Sequence, residues 1–350
     1  MSEMTSRERI LCVLAGEIPD RVPFYETAVD YPWICRLLNR ELDGKENFDS
    51  GEYHTVTLED QLEMNRILHR DNLVYCCLPP IPAHKSAGED QILFFHDGKI
   101  KTWEDVEAFE LPDVTTEEFQ KPLYEFIDVC REHDFAAAVL TRCGISATYL
   151  AMGFEHFFIQ LLDDPGLPEA LMKKYAEWTA ELIPILAKAG FDIVQTNDDI
   201  SGKAGPLISP EMYKEKFWPH VRKISDALEA TDMKWSWHTD GDINMVLDDM
   251  IDLGIDILNP VENACMDIVA LKERFQGHPV LSGNVDMDIL SRGTEEKVEA
   301  YTLNLLKNIA PGGGFLFGSG NSIASYTRVE NIKKMCDINY QYGRYPINIS

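Results

Sequence analysis

Residues 234–286 read KWSWHTDGDINMVLDDMIDLGIDILNPVENACMDIVALKERFQGHPVLSGNVD. Short apolar runs begin near Lys234, Ile255 and Pro279. Between them the stretches Ile243–Leu253 and Asp267–Phe275 have helical spacing and are just long enough to complete a crossover. Strand, helix, strand, helix, strand at this pitch is the pattern of parallel βα units. Working outward, comparable runs begin near Val22, Asn72, Ala136, Asp192 and Gly314, each followed by polar residues or a turn. Together the runs make eight, which predicts an α/β fold closed as a (β/α)8 TIM barrel.

The segments between these runs fit that frame. Leu167, Leu171, Trp178 and Leu182 recur at helical intervals from Leu167 to Ala189, with Gly190 as a stop and Pro184 expected to kink or open the backbone ladder. Ser209-Pro210-Glu211 reads as N-cap, first helical residue and first-turn acid, and Thr294-Glu295-Glu296 opens a later helix. Two stretches break the rhythm. Residues 27–70 read as helical decoration of the amino end. Residues 79–112 contain Ile92–Phe95, an Asp97-Gly98 turn and Ile100–Trp103, the pattern of a hairpin that would cover the catalytic face as a lid. Residues 1–350 are expected to form one domain.

Composition narrows the function. Lys and Arg number 32 against 59 Asp and Glu, a formal charge of −27, so phosphate backbones and anionic membranes would be repelled. Nucleic-acid and membrane partners are therefore not expected. No run approaches the roughly 18 apolar residues of a membrane span, and Met1 to Arg9 lack the pattern of a signal peptide. Eight cysteines without a Cys-x-x-Cys pair suit reduced thiols, and the chain reads as cytoplasmic.

In such barrels the reactive side chains follow the strands, where the βα loops converge on one face. Here that register holds Tyr25 and Glu26, Arg142 and Cys143, Asp198 and Asp199, His238 and Asp240, Glu262, Asn284 and Asp286, and Ser319 with Asn321. His238 and Asp240 stand two apart at a strand end, so they project to one side and can share a metal or a proton. A hydrogen bond within the loop is the alternative for His238. Capping of the loop is the alternative for Asp198-Asp199, and because adjacent residues alternate in direction only one of them is expected to face the cavity. Pro311-Gly312-Gly313-Gly314 precedes the last strand and reads as a turn at the opposite face.

Several motifs carry a resemblance. They are Tyr149-Leu150-Ala151-Met152-Gly153-Phe154-Glu155, Asp198-Asp199 with Ser209-Pro210-Glu211, His238-Thr239-Asp240-Gly241, Gly283-Asn284-Val285-Asp286 and Gly318-Ser319-Gly320-Asn321. With Arg7-Glu8-Arg9, Ala15-Gly16 and Asp20-Arg21-Val22-Pro23 at the amino end, the chain resembles the uroporphyrinogen decarboxylase superfamily, including its corrinoid-linked methyltransferases. That resemblance implies the same barrel. True decarboxylases of the family carry an arginine-rich segment after the first strand and an aspartate after the next. This chain has Phe24-Tyr25-Glu26-Thr27-Ala28 and Tyr75-Cys76-Cys77-Leu78-Pro79 there. The methyltransferase branch holds zinc through a His-x-Cys pair and a later Cys. His238 is kept, while Asp240 and Asn321 stand where the cysteines would be.

The expected function is thus a methyltransferase. It would move a methyl group between a small O-methyl or related compound and a corrinoid on a separate protein, since the chain shows no Asp-x-His-x-x-Gly corrinoid motif. The catalytic candidates are His238, Asp240, Asp198 and Asp199. The substrate-binding candidates are Glu26, Tyr25, Arg142, Asn284 and Asn321, and a divalent metal such as zinc would rest on His238, Asp240 and Glu262. The alternatives are uroporphyrinogen decarboxylation and, in another class, an inactive barrel that binds a small ligand or cobamide.

Overall fold

The computed structural model describes residues 3–40, 57–87 and 93–349. Its strands are β1 (Asn72–Cys76), β2 (Ala83–Ala87), β3 (Leu93–Gly98), β4 (Ala136–Thr141), β5 (Ile193–Asn197), β6 (Ser201–Gly202), β7 (Gly205–Pro206), β8 (Lys234–His238), β9 (Ile257–Asn259), β10 (Val280–Val285) and β11 (Phe315–Ser319). Seven of them form one parallel sheet in the order β1-β4-β5-β8-β9-β10-β11, with helices on the connections. Apolar runs such as Ala136–Leu140 are buried on both faces, as strands covered by helices must be.

The eighth run, at Val22, closes the ring by single bridges. Phe24 pairs in parallel with Arg70 before β1 and with Phe317 of β11, so it joins the two edges of the sheet. The amides of Tyr25 and Phe317 donate to the carbonyls of Phe317 (2.8 Å) and Pro23 (3.0 Å), and that of Asp71 donates to Phe24 (2.9 Å). A full strand fails here for a local reason. Pro23 has no amide hydrogen, and the Phe24 amide donates to the Asp71 carboxylate at 2.9 Å. Asp71 also accepts from Arg9 and Arg21, each at 2.7 Å, a buried network that ties the amino end to the first strand. The architecture is a (β/α)8 barrel.

The helix Ser6–Leu14 starts at a capping box between Thr5 and Glu8 and lies across the amino ends of the strands. Its Ile10 and Val13 pack into the barrel interior with Ala136, Ala138, Ile193, Ile257, Val280 and Leu316. The Arg7 guanidinium meets Asp192, just before β5, at 2.8 Å. The floor is therefore apolar and stoppered by this helix.

The decoration over 27–70 includes the helices Tyr31–Leu38 and Leu58–Leu68, and residues 41–56 of it lie outside the described residues. The hairpin is real but pairs differently from expectation. Lys85 and Ser86 of β2 stand opposite Phe95 and Phe94 of β3, and Gly98 pairs with Ala83 within the ladder, so Asp97-Gly98 is not the turn; residues 88–92, between the two strands, lie outside the described residues. Gly98 serves close packing instead, since a Cβ there would sit 2.1 Å from the Ala151 carbonyl oxygen. Ile100–Trp103 leads into the helix Trp103–Ala108 through a Thr102/Asp105 capping box.

The helix Gly166–Ala189 runs uninterrupted through Pro184 and ends at Gly190, whose φ is 108°. Ser209 caps the next helix by accepting from the Met212 amide at 3.2 Å. In the crossover from β8 the regular helix is only Leu247–Asp252, shorter than the Ile243–Leu253 expected. Among the described residues no helix is long and apolar enough to cross a membrane.

Candidate active site at the carboxyl ends of the strands

Alternation along each strand decides what faces the barrel axis. On β4 the inward set is Ala136, Ala138 and Leu140, and Arg142 follows in the same parity. On β5 and β8 it runs through Gln195 to Asn197 and through Ser236 to His238. The Ser236 hydroxyl donates to Gln195 at 3.0 Å in the buried interior. Register places Thr141 beside Thr196, Asn197 beside His238 and His238 beside Asn259. The apolar floor thus gives way to a polar upper layer of Arg142, Asn197, His238 and Asn259.

His238 is oriented by that neighbour. Its Nδ1 lies 2.9 Å from Asn259 Oδ1, while the Asn259 amide nitrogen donates to Ser282 Oγ at 2.8 Å. With the amide nitrogen turned to Ser282, the oxygen is placed to accept from Nδ1–H, and Nε2 is left facing Asp240. Nε2 is 3.7 Å from Asp240 Oδ1. One ligand atom each from Asp199, His238 and Asp240 lies within 4.8 Å of the others. Backbone bonds lock the group together. The Asp240 amide donates to Asp199 Oδ1 at 3.0 Å, and the Gly241 amide to Glu262 Oε2 at 2.8 Å. Gly241 has φ 87°, and a Cβ on it would sit 2.6 Å from the Gly202 carbonyl oxygen, so glycine is required for this approach.

Burial pushes the Asp240 carboxyl above its ordinary value, and the Asp199 and Glu262 carboxylates push the same way, against His238 and the Asn321 amide. Asn321 donates through its amide nitrogen to both Asp240 oxygens, at 2.9 and 2.8 Å. Its own oxygen accepts from the Ser322 amide at 2.7 Å. Asn321 therefore steadies Asp240. Among the described residues no lysine or arginine pairs with Asp199, Asp240 or Glu262. Three acids and an open imidazole nitrogen thus gather without a protein cation.

The remaining candidates separate clearly. Asp198 is fully buried and turned away from this group. It accepts from the Ser146 amide (2.8 Å), the Ser146 hydroxyl (2.9 Å) and the Cys143 amide, which caps the helix Ile145–Met152. Glu262 accepts from Gly241 and is not one of the three clustered ligands, where Asp199 stands instead. Glu26 is buried with its carboxylate on the amide (3.1 Å) and hydroxyl (2.7 Å) of Ser319. Tyr25 packs inside the barrel, its hydroxyl 3.5 Å from Gln195. Asn284 donates to the Val261 carbonyl at 2.9 Å, and its Oδ1 is buried with no partner. The Arg142 Nη1 donates to Ser146 Oγ (2.6 Å) and to the Asn197 carbonyl (2.7 Å), while its Nε is buried with no acceptor. Sequence reading missed Asn259. The signal available was its inward parity at the end of a strand stopped by Pro260.

A cavity of about 380 Å³ opens beside this rim between residues 27–30, the two decorating helices, β1 and the helix Glu117–Glu132. Ile34, Met64, Phe126 and Leu140 make it largely apolar, and Ser322, next to Asn321, is on its wall. None of Asp199, His238 and Asp240 lines it.

Residues 89–342 match the family profile described as uroporphyrinogen decarboxylase (URO-D). The chain belongs to that family. Curated family relatives include the uroporphyrinogen decarboxylase of Anaeromyxobacter dehalogenans, 25% identical over 198 residues, which is 55% of this chain and 53% of the relative. That of Saccharopolyspora erythraea is 27% identical over 171 residues, 47% of this chain and 46% of the relative. The chain thus spans about half the length of these decarboxylases. Among solved structures, a methyltransferase from Methanosarcina mazei superposes with a TM-score of 0.75 at 19% identity, covering 97% of this chain and 99% of the other. A B12-independent methionine synthase from Shewanella sp. W3-18-1 gives 0.54 at 11% identity, covering 92% and 97%. At such identities the likeness is one of fold.

Proposed function

We propose that this family member moves a methyl group from a small O-methyl compound to a corrinoid carried by a separate protein. The observation that carries the reading is the open Nε2 of His238 among the carboxylates of Asp199 and Asp240, with no lysine or arginine among the described residues to balance them. One imidazole nitrogen and two carboxylate oxygens fit a divalent ion such as zinc, held by Asp199, His238 and Asp240. Bound there, the ion would supply the positive charge that polarises an ether oxygen. The chain's own residues do the rest. Asn259 orients the imidazole, Asn321 fixes the Asp240 carboxylate, and Gly241 lets the loop approach β6. Without an ion, Asp240, whose carboxyl is raised by burial, would be the acid that supplies the proton instead.

The bond changes set the demand on the site. The methyl carbon leaves oxygen for the electron pair of reduced cobalt, and the carbon–oxygen pair stays on oxygen and takes up a proton. Charge thus develops on the oxygen, and the group around His238 is suited to receive it.

The names of the curated relatives favour decarboxylation of uroporphyrinogen as a second reading. A substrate with many carboxylates needs several cations, and acids dominate this rim. Incubation with cob(I)alamin and a panel of O-methyl compounds should form methylcobalamin, read by its absorbance, with negligible conversion of uroporphyrinogen. Coproporphyrinogen formed at an enzymatic rate, without methyl transfer, overturns the proposal.

A further inference from the structure

Arg142 is a buried cation without an anion of its own. Its side chain leaves the carboxyl end of β4 in the inward parity, and it is 9% exposed. Both hydrogens of Nη1 are used, on Ser146 Oγ and the Asn197 carbonyl, whereas Nε–H is buried and has no acceptor. Among the described residues no carboxylate forms an ion pair with it. The acid Asp198 lies one hydroxyl away. Ser146 Oγ stands between the two, 2.6 Å from Arg142 and 2.9 Å from Asp198. The oxygens of Asp198 are already taken by that hydroxyl and by the two amides at the start of the helix Ile145–Met152. A charge held out of water in this way is costly unless an anion completes it. Everything around it fixes one edge of the guanidinium and leaves the Nε–Nη2 edge, the fork that matches a carboxylate in two parallel hydrogen bonds.

We propose that Arg142 binds the carboxylate of a small organic acid, so that the methyl donor is an O-methylated acid. The inference deepens the proposed function and rests on it for the ether half only. Register sets the span. Arg142 follows Thr141, which pairs with Thr196, and Asn197 pairs with His238, so Arg142 and His238 stand two strands apart in one layer. At about 4.8 Å per strand their backbones are separated by roughly 10 Å. A molecule of modest size with its acid at one end and its ether at the other reaches both. A single arginine also answers why a carboxylate can be accepted where the rim is otherwise acidic: it takes one acid group and leaves further ones unpaired. Ser146 and the Asn197 carbonyl are positioning groups that hold the fork.

Binding, measured without any methyl transfer, tests this apart from the reaction. Acetate, propanoate and benzoate are titrated against the full chain by ligand-detected NMR, each beside its neutral amide. Charged hydrogen bonds of this kind are expected to favour the carboxylate by about ten- to a hundredfold. Benzoate should lose that advantage over benzamide in Arg142→Gln and keep part of it in Arg142→Lys, with melting curves reporting whether each variant is folded. If Arg142→Gln does not fold, the wild-type comparison and Arg142→Lys still decide. Equal binding of acid and amide by the wild type, an unchanged preference in folded Arg142→Gln, or no binding of any of the three acids up to about 10 mM overturns the proposal. Acid-selective binding that depends on Arg142, together with no methyl transfer from O-methylated acids, keeps the anion site and removes the methyltransferase reading.

Discussion

Asn259 decides what His238 can do, because its oxygen at 2.9 Å is placed to accept from Nδ1–H and leaves Nε2 to face Asp240. Removing such a support from a metal-binding histidine typically costs about ten- to a hundredfold in affinity. Asn259→Leu, close in size, should therefore lower zinc affinity by that factor while far-ultraviolet dichroism stays unchanged. Unaltered affinity in a competition titration with a zinc chelator would detach Asn259 from the site. His238 and Asp240 should in turn behave as one unit. If His238→Ala and Asp240→Asn each lower methyl transfer about a hundredfold, the double variant should lose little more. Multiplying losses in the initial rates would mean that the two act separately. Alternation correctly separates Asp198 from Asp199, since adjacent residues at a strand end point opposite ways. It cannot say which of them is the cap. That depends on the Cys143 and Ser146 amides, more than fifty positions earlier in the chain.

The helix Ile145–Met152 begins at Gly144 with no side-chain cap of its own, and Asp198 supplies the acceptor from another strand. Losing a buried, multiply bonded carboxylate leaves donors unsatisfied and should cost about 3 kcal/mol. Asp198→Ala is expected to lower the urea midpoint accordingly, and a change under about 0.5 kcal/mol would show that the cap is dispensable. The hairpin of β2 and β3 is the other element with a consequence. Its base packs against this same helix, with the Ile100 amide donating to the Ala151 carbonyl at 2.9 Å. If residues 79–112 cover the mouth, limited proteolysis there should slow when an O-methyl compound binds, whereas protection confined to the floor would remove the lid. Seven of the strands were legible because each carries a short run of apolar residues followed by polar ones, clearest at Ala136–Leu140, which is buried on both faces. The hairpin register was not. Asp97-Gly98 looks like a turn, but its glycine answers the Ala151 carbonyl, a contact that local patterning does not encode. The Thr102/Asp105 capping box was readable and assigns the following residues to a helix.

For the molecule as a whole, closure depends on residues 22–26 being trapped between β1 and β11, which buries Glu26 beside Ser319 and near Arg70. Burial raises the Glu26 carboxyl to about 7, although Ser319 and Arg70 favour its charged form. A carboxyl raised on folding stabilises fully below its unfolded value near 4.5, and that contribution is lost as pH climbs through about 7. The shift is worth about 3 kcal/mol. Glu26→Gln, which keeps an acceptor for Ser319, should therefore gain stability over wild type at about pH 8 and lose most of that gain near pH 5. A gap that does not change with pH, measured by urea unfolding, would show that Glu26 does not titrate across this range. The helix Ser6–Leu14 has a different consequence. It corks one end of the barrel with Ile10 and Val13, and a vessel corked at one end empties by the opening through which it fills. Under the proposed function, a corrinoid protein seated on the open face would block whatever lies inside, so each turnover would include the parting of the two proteins before the spent small molecule leaves.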